Sequence, residues 1–96
     1  MRYITITTWE IADGTDYNIS LRAIEEKRLP ALKGLGASRV TVVRTSDRTS
    51  AAITEWPDKA TRDAAELKID EVRKQVHKED MTRMTGEMKG AVVAEA

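Results

Sequence analysis

Four short segments of this 96-residue chain have the residue pattern of β-strands that are apolar on both faces, and two long amphipathic helical segments separate them. A sheet that carries helices on one face needs only that face to be apolar. Strands with two apolar faces need a second cover, and no segment of the chain is left to provide it. A second copy of the same chain is the simplest cover, so the pattern predicts a homodimer.

The segments follow one another in the order β-α-β-β-α-β. The first strand is predicted over residues 3–11, because every residue from Ile4 to Thr8 is β-branched. The other strands are predicted over residues 39–45, 50–56 and 87–94. This order predicts an α+β fold over residues 1–96, with a four-stranded antiparallel sheet and two helices on one of its faces.

The first helix is predicted from residue 17 to residue 35, with Asp16 as its N-cap. Its apolar positions recur at helical spacing, and Arg28 interrupts them. Pro30 lies inside the segment and has no backbone N–H to donate. We therefore expect a kink or break between Lys27 and Leu29, and an end at Gly34 or Gly36.

The second helix is predicted from residue 59 to residue 80, with Asp58 as its N-cap. Its buried stripe is expected to contain Ala65 and Ile69 and to be widened by Leu67. On its outer face we expect ion pairs between residues four apart, including Arg62 with Glu66.

Composition excludes several classes of function. Lys plus Arg and Asp plus Glu number 16 each, so the net charge of zero gives no field that attracts nucleic acid or anionic lipid. Cysteine is absent, which excludes thiolate metal sites and thiol nucleophiles. No apolar run approaches the ~20 residues of a membrane span. We therefore expect a cytoplasmic protein that binds neither nucleic acid nor membrane, with no metal and no cofactor.

His77 is the only histidine, so any histidine-based chemistry must use it. Arg73 precedes it by one helical turn and disfavours its protonated form, which suits a general base. The alternative is a histidine at the boundary of a solvated helix. His77 is accordingly the one candidate catalytic residue.

Aromatic and hydroxyl side chains share one face of the first strand. Tyr3, Thr5, Thr7 and Trp9 alternate along it and are suited to a small, partly polar cavity. Trp56 ends the third strand, and antiparallel pairing is expected to place it at the opposite end of the sheet from Trp9. The alternative is that these residues fill the core or an interface. Tyr3, Thr5, Trp9 and Trp56 are the candidate substrate-binding residues.

Arg44 lies near the hairpin between the second and third strands and is a further candidate for binding a substrate, through an anionic group. A surface arginine without a ligand is the alternative. The chain has no phosphate-binding glycine loop, no zinc-ligand spacing and no Ser-His-Asp pattern.

The order of elements is that of a ferredoxin-like fold. Within that fold, two segments resemble the dimeric α/β-barrel superfamily, in which two sheets pack face to face. Residues 28–37 (RLPALKGLGA) resemble its first helix end running into the second strand, and residues 55–58 (EWPD) resemble its third-strand exit. Strands with two apolar faces also fit its double-sided burial.

The resemblance implies a homodimer with one cavity per subunit between sheet and helices. Similar proteins include cofactor-independent monooxygenases of the antibiotic-biosynthesis type, haem-degrading enzymes, isomerases and decarboxylases. Such monooxygenases often carry an Asn four residues before the third-strand Trp. In this chain that position is Ala52.

Two functions follow as hypotheses. The first is a homodimer that binds a small, largely apolar molecule and acts as a cofactor-independent, monooxygenase-like enzyme. The second is a non-catalytic dimeric module that binds a metabolite or a partner protein.

Overall fold

The computed structural model describes residues 2–12, 14, 16–80 and 82–96, and for residues 75–80 it describes the helical backbone alone. Its elements in chain order are β1 (Tyr3–Ile11), α1 (Tyr17–Ala23), a π-helical turn (Ile24–Arg28), α2 (Leu29–Gly34), β2 (Arg39–Arg44), β3 (Thr49–Trp56), α3 (Lys59–Asp80) and β4 (Thr82–Ala91).

The sheet has the strand order β2-β3-β1-β4, and each neighbouring pair is antiparallel. The helical segments pack on one face, where Leu32 from α2 and Ile69 from α3 join the buried Tyr3 and Trp56 in one core cluster. The predicted ferredoxin-like α+β architecture is thereby confirmed. In the part of the chain that is described, no helix has the length and apolar character needed to cross a membrane.

The predicted bounds of β1 and α3 are confirmed, and those of β4 are wrong. β4 begins at Thr82 instead of residue 87 and ends at Ala91. A register shift beside Thr8 and Trp9 places Thr85 outside the regular pairing, as in a β-bulge. Gly86 lies opposite Thr8 there, and a Cβ atom on Gly86 would be 2.9 Å from the Thr8 hydroxyl oxygen. Any other residue at position 86 would force the Thr8 side chain to move, so the pairing favours glycine there.

The break expected in the first helical segment is a π-helical turn. The backbone N–H of Leu29 donates to the carbonyl of Ile24, five residues earlier, and Pro30 follows at once. The turn occupies Ile24–Arg28, somewhat before the predicted position.

This turn changes which side chains face the sheet. The buried residues are Ser20, Ile24, Arg28 and Leu32, at intervals of four. In a continuous α-helix each such step drifts by about 40°, since the helix has 3.6 residues per turn. The wider π turn offsets this drift, so Arg28 continues the buried stripe that it was predicted to interrupt.

Two expectations for α3 are wrong. Leu67 is 78% exposed and does not widen the buried stripe. Arg62 is only 1% exposed, and its guanidinium lies 6.0 Å from the Trp56 ring centroid, so its ion pair with Glu66 does not belong to the outer face. The N-cap is confirmed, because Asp58 accepts a hydrogen bond from the backbone N–H of Thr61 at 2.7 Å.

The two faces of the sheet differ in chemistry. The face toward the helices carries buried hydroxyls and both tryptophans on β1 and β3. The other face, called here the open face, carries a cross-strand row in which Ile6 lies between Ile53 and Met88. Ile6 and Ile53 are half-buried and Met88 is 65% exposed, so this apolar row is only partly covered.

Candidate functional site

A small cavity of about 30 Å³ lies between the helix-facing side of the sheet and the helices above it. Its floor comes from the two central strands and its roof from the π turn, α2 and α3. The lining residues are Thr7, Trp9, Arg28, Leu32, Ala52, Thr54, Ile69, Val72 and Arg73.

The floor is held in place by a hydrogen bond along β1. Thr7 and Trp9 are two residues apart, so both side chains point to the helix-facing side. The indole Nε1 of Trp9 donates to the hydroxyl oxygen of Thr7 at 2.8 Å. This bond fixes the orientation of the ring and leaves the Thr7 hydroxyl proton available to a ligand.

The roof contributes a buried cation. Arg28 is 4% exposed, and its guanidinium carbon lies 4.2 Å from the centroid of the Trp9 ring. At this distance a cation is attracted by the electron-rich ring face. The π turn is what brings Arg28 onto the cavity side of its helix.

A second arginine stands at the β4 side of the cavity. Arg73 of α3 donates through Nη2 to Glu87 Oε2 of β4 at 2.8 Å, and its Nη1 lies 3.8 Å from Asp70 Oδ1. The side chains of Arg73 and Glu87 are 22% and 25% exposed. This ion pair links α3 to the edge strand.

Hydrogen-bond donors dominate the polar lining. Arg28 and Arg73 are donors only, and the hydroxyls of Thr7 and Thr54 have protons to give. No carboxylate is found among the lining residues in the described part of the chain. Such a cavity suits a ligand with an apolar body and oxygen acceptors.

The cavity contains one of the predicted binding residues. Trp9 lines it, whereas Tyr3, Thr5 and Trp56 are buried on the same face outside it. Trp56 donates through Nε1 to the Thr5 hydroxyl at 3.4 Å, near the end of the sheet where Tyr3 pairs with Trp56. Trp9 pairs with Ser50 toward the other end. The two tryptophans therefore lie apart, as the sequence predicted.

Arg44 lies away from the cavity. Its guanidinium carbon is 3.9 Å from the Tyr17 ring centroid, and its nitrogens donate to the carbonyls of Ser46 and Asp47. It thus links the β2–β3 hairpin to the start of α1. The side chain of His77 lies outside the described residues.

Sequence reasoning missed Arg28 and Arg73 as cavity residues. The four-residue spacing of Ser20, Ile24, Arg28 and Leu32 was the signal available for Arg28. That spacing indicates a shared buried face only if a π turn is assumed. Among the described residues, no three His, Asp or Glu side chains come together as a metal site would require.

Comparisons with known proteins identify the fold. No protein-family model and no curated protein matches the chain. Several solved structures do. A variant of SnoaB, a cofactor-independent oxygenase from Streptomyces nogalater, has a TM-score of 0.77 at 10% identity, over 98% of this chain and 95% of that one. The chain has the fold of these proteins.

Two further structures agree with this assignment. A dimeric ferredoxin-like protein from an uncultured marine organism has a TM-score of 0.68 at 17% identity and covers 100% of this chain and 98% of its own. A candidate antibiotic biosynthesis monooxygenase from Chloroflexus aurantiacus also has a TM-score of 0.68, at 10% identity, covering 100% and 97%. The suspected similarity to dimeric α/β-barrel proteins is confirmed at the level of the fold.

Proposed function

We propose that the protein is a homodimer whose subunits each bind a small, largely apolar molecule in the cavity beneath Arg28. The observation that carries this is a lining that combines the Trp9 ring with two guanidinium groups in a buried space. A few fixed polar groups in an apolar pocket are the usual composition of a ligand site.

The chemistry of the lining selects the ligand. Its donors favour carbonyl, phenolic or enolate oxygens on a planar apolar body. Desolvation strengthens each such bond, because Arg28 and Trp9 are both at most 5% exposed. An oxygen that gains negative charge during a reaction is stabilised further by the same donors.

Oxygenation without a cofactor is the activity that this arrangement supports best. SnoaB, a structural neighbour, is a cofactor-independent oxygenase. Stabilising a substrate enolate would prepare it for reaction with molecular oxygen. We expect oxygen consumption with members of a panel of phenols of increasing size, reduced by Arg28→Met and by His77→Ala. Arg44→Met serves as the control, since Arg44 lies outside the cavity.

The non-catalytic alternative has its own supporting observation. Ala52 lines the cavity where similar monooxygenases often have Asn. A binding module of this kind would be stabilised by ligands without turnover, by an amount that grows with ligand concentration. Thermal shifts with the phenol panel in the absence of oxygen consumption would favour this alternative. A result with no thermal shift and no turnover would contradict the ligand site itself.

The open face supports the homodimer. Ile6, Ile53 and Met88 form its apolar row, and Val43 on β2 is 43% exposed. A groove along the same face is lined by Ile4, Ile6, Met88 and residues of the C-terminal segment. A neighbouring structure of this fold is dimeric. A second copy would cover this surface with matching apolar side chains.

Native mass spectrometry tests assembly and ligand together. We expect a dimer, and Met88→Glu should convert it to a monomer because a carboxylate would be buried without a partner. Leu67→Glu is the control, since Leu67 is exposed on the helix side. A wild-type monomer at micromolar concentration would contradict the dimer. Extra mass on either species would identify a co-purified ligand.

A further inference from the structure

Among the residues whose side chains are described, the lining of the cavity is exposed to solvent at one place. Seven of the lining residues, from Thr7 to Ile69, are at most 8% exposed. Only Val72 and Arg73 of α3 are partly exposed. A molecule that enters without unfolding the core must therefore pass beside Arg73.

Charged side chains of β4 lie beside Arg73 at the edge of the sheet. Glu87 on β4 is the register partner of Thr7, and Lys89 is the partner of Thr5, so both occupy helix-facing positions. Glu87 accepts from Arg73 at 2.8 Å, and Lys89 Nζ lies 3.9 Å from its other oxygen. At this point α3 contacts the strand through an ion pair. Separating a partly exposed ion pair costs less free energy than opening a packed apolar core.

We propose that Glu87 controls access to the cavity by holding Arg73 across its opening. When the two side chains separate, Arg73 swings away and a planar molecule enters beside Val72. Glu87 acts through Arg73 and is a positioning residue. This inference rests on the proposed ligand site, since access matters only if the cavity is occupied.

Acrylamide quenching of Trp9 fluorescence measures access directly. In a Trp56→Phe background Trp9 is the only tryptophan. Glu87→Gln should raise the quenching constant about two- to fivefold, the effect expected from weakening a partly exposed ion pair, and Glu87→Ala should raise it further. The matched control is Glu66→Gln, which removes a carboxylate from α3, the helix that carries Arg73, together with its bond to Arg62, but leaves Arg73 in place. It should not change the constant.

A second measurement follows the binding of 1-anilinonaphthalene-8-sulfonate to the same variants. Stopped-flow fluorescence should show the association and dissociation rate constants rising by the same factor in Glu87→Gln, which leaves Kd unchanged, whereas a merely structural loss would raise the dissociation rate constant and Kd with it. Equal quenching constants in Glu87→Gln and Glu66→Gln, with native circular dichroism, would overturn the access role. Faster quenching without any binding would keep the access role and contradict the ligand site.

If the Trp56→Phe chain does not fold, the quenching comparison is made with both tryptophans present. Trp56 is 0% exposed, so any increase caused by Glu87→Gln would still come from Trp9. No increase in that chain would overturn the proposal equally.

Discussion

The guanidinium carbon of Arg28 lies 4.2 Å from the centroid of the Trp9 ring, with both side chains buried. Arg44 lies 3.9 Å from the Tyr17 ring, but Arg44 is exposed. The chain thus contains two cation–π pairs of similar distance in different surroundings. The pairs differ in burial and in ring type, and both differences favour the pair of Arg28 and Trp9.

The buried pair should be the stronger one. A double-mutant cycle of Arg28→Met and Trp9→Leu should give a coupling free energy of about 2 kcal/mol, because desolvation strengthens the attraction. The cycle of Arg44→Met and Tyr17→Leu should give about 0.5–1 kcal/mol. Urea unfolding of the single and double variants measures both. Equal coupling energies would contradict the role assigned to burial.

Gly86→Ala should destabilise the fold. Its Cβ would lie 2.9 Å from the Thr8 hydroxyl oxygen, which shares a hydrogen bond with Thr85 at 2.9 Å. Moving the Thr8 side chain breaks that bond, so we expect a loss of about 1–3 kcal/mol in the free energy of unfolding. Gly90→Ala on the same strand meets no atom within 4 Å and should have little effect. Thermal unfolding of the two variants makes the comparison, and Thr8→Ala should partly rescue Gly86→Ala.

Asp58 should make the stability of α3 depend on pH. The backbone N–H and the hydroxyl of Thr61 donate to its carboxylate and hold its pKa below the ordinary value of 3.8. A lowered folded-state pKa contributes stability that is complete above the ordinary value and is lost as pH falls through the folded one. Asp58→Asn keeps an acceptor for Thr61 but does not titrate.

Chemical unfolding between pH 7 and pH 2 checks this prediction. Asp58→Asn should stay close to the wild type at pH 7 and lose less stability in acid. Asp58→Ala should be less stable than either at pH 7. An unchanged acid dependence in Asp58→Asn would show that the cap carboxylate does not contribute.

Arg62→Met should be neutral or stabilising. Arg62 is 1% exposed, and neither its Nε nor its Nη2 has a hydrogen-bond partner within the described structure. Burying a charge costs free energy that incomplete pairing does not return, and apolar replacements of similar volume often gain about 1–4 kcal/mol. Glu66, its partner, is 42% exposed and remains hydrated after the change. A loss of more than about 1 kcal/mol in urea unfolding would contradict this view.

The sequence predicted those elements whose local signals agree with one another. β1 has an uninterrupted β-branched run, and α3 has an N-cap at Asp58 with a regular apolar stripe, so their bounds were predicted correctly. The start of β4 was not, because the bulge beside Thr8 and the glycine that it favours look in the sequence like a break in the strand.

The candidate site was harder to predict than the fold. Trp9 was found because aromatic residues on a strand are conspicuous. Arg28 was predicted to interrupt the apolar stripe and Arg62 was assigned to the outer face of its helix, because charged residues are rarely buried. Their burial depends on tertiary contacts, Arg28 over Trp9 and Arg62 beside Trp56, which no local pattern reveals.

The π turn at Ile24–Arg28 gives this chain a way to change the lining of its cavity by a change of chain length. Removing one residue from the turn would restore a continuous α-helix and rotate the residues on one side of it by about 100° relative to the other. Leu29 would then approach the place that Arg28 now holds above Trp9. One deletion, without any change in the sheet, would exchange a cationic roof for an aliphatic one.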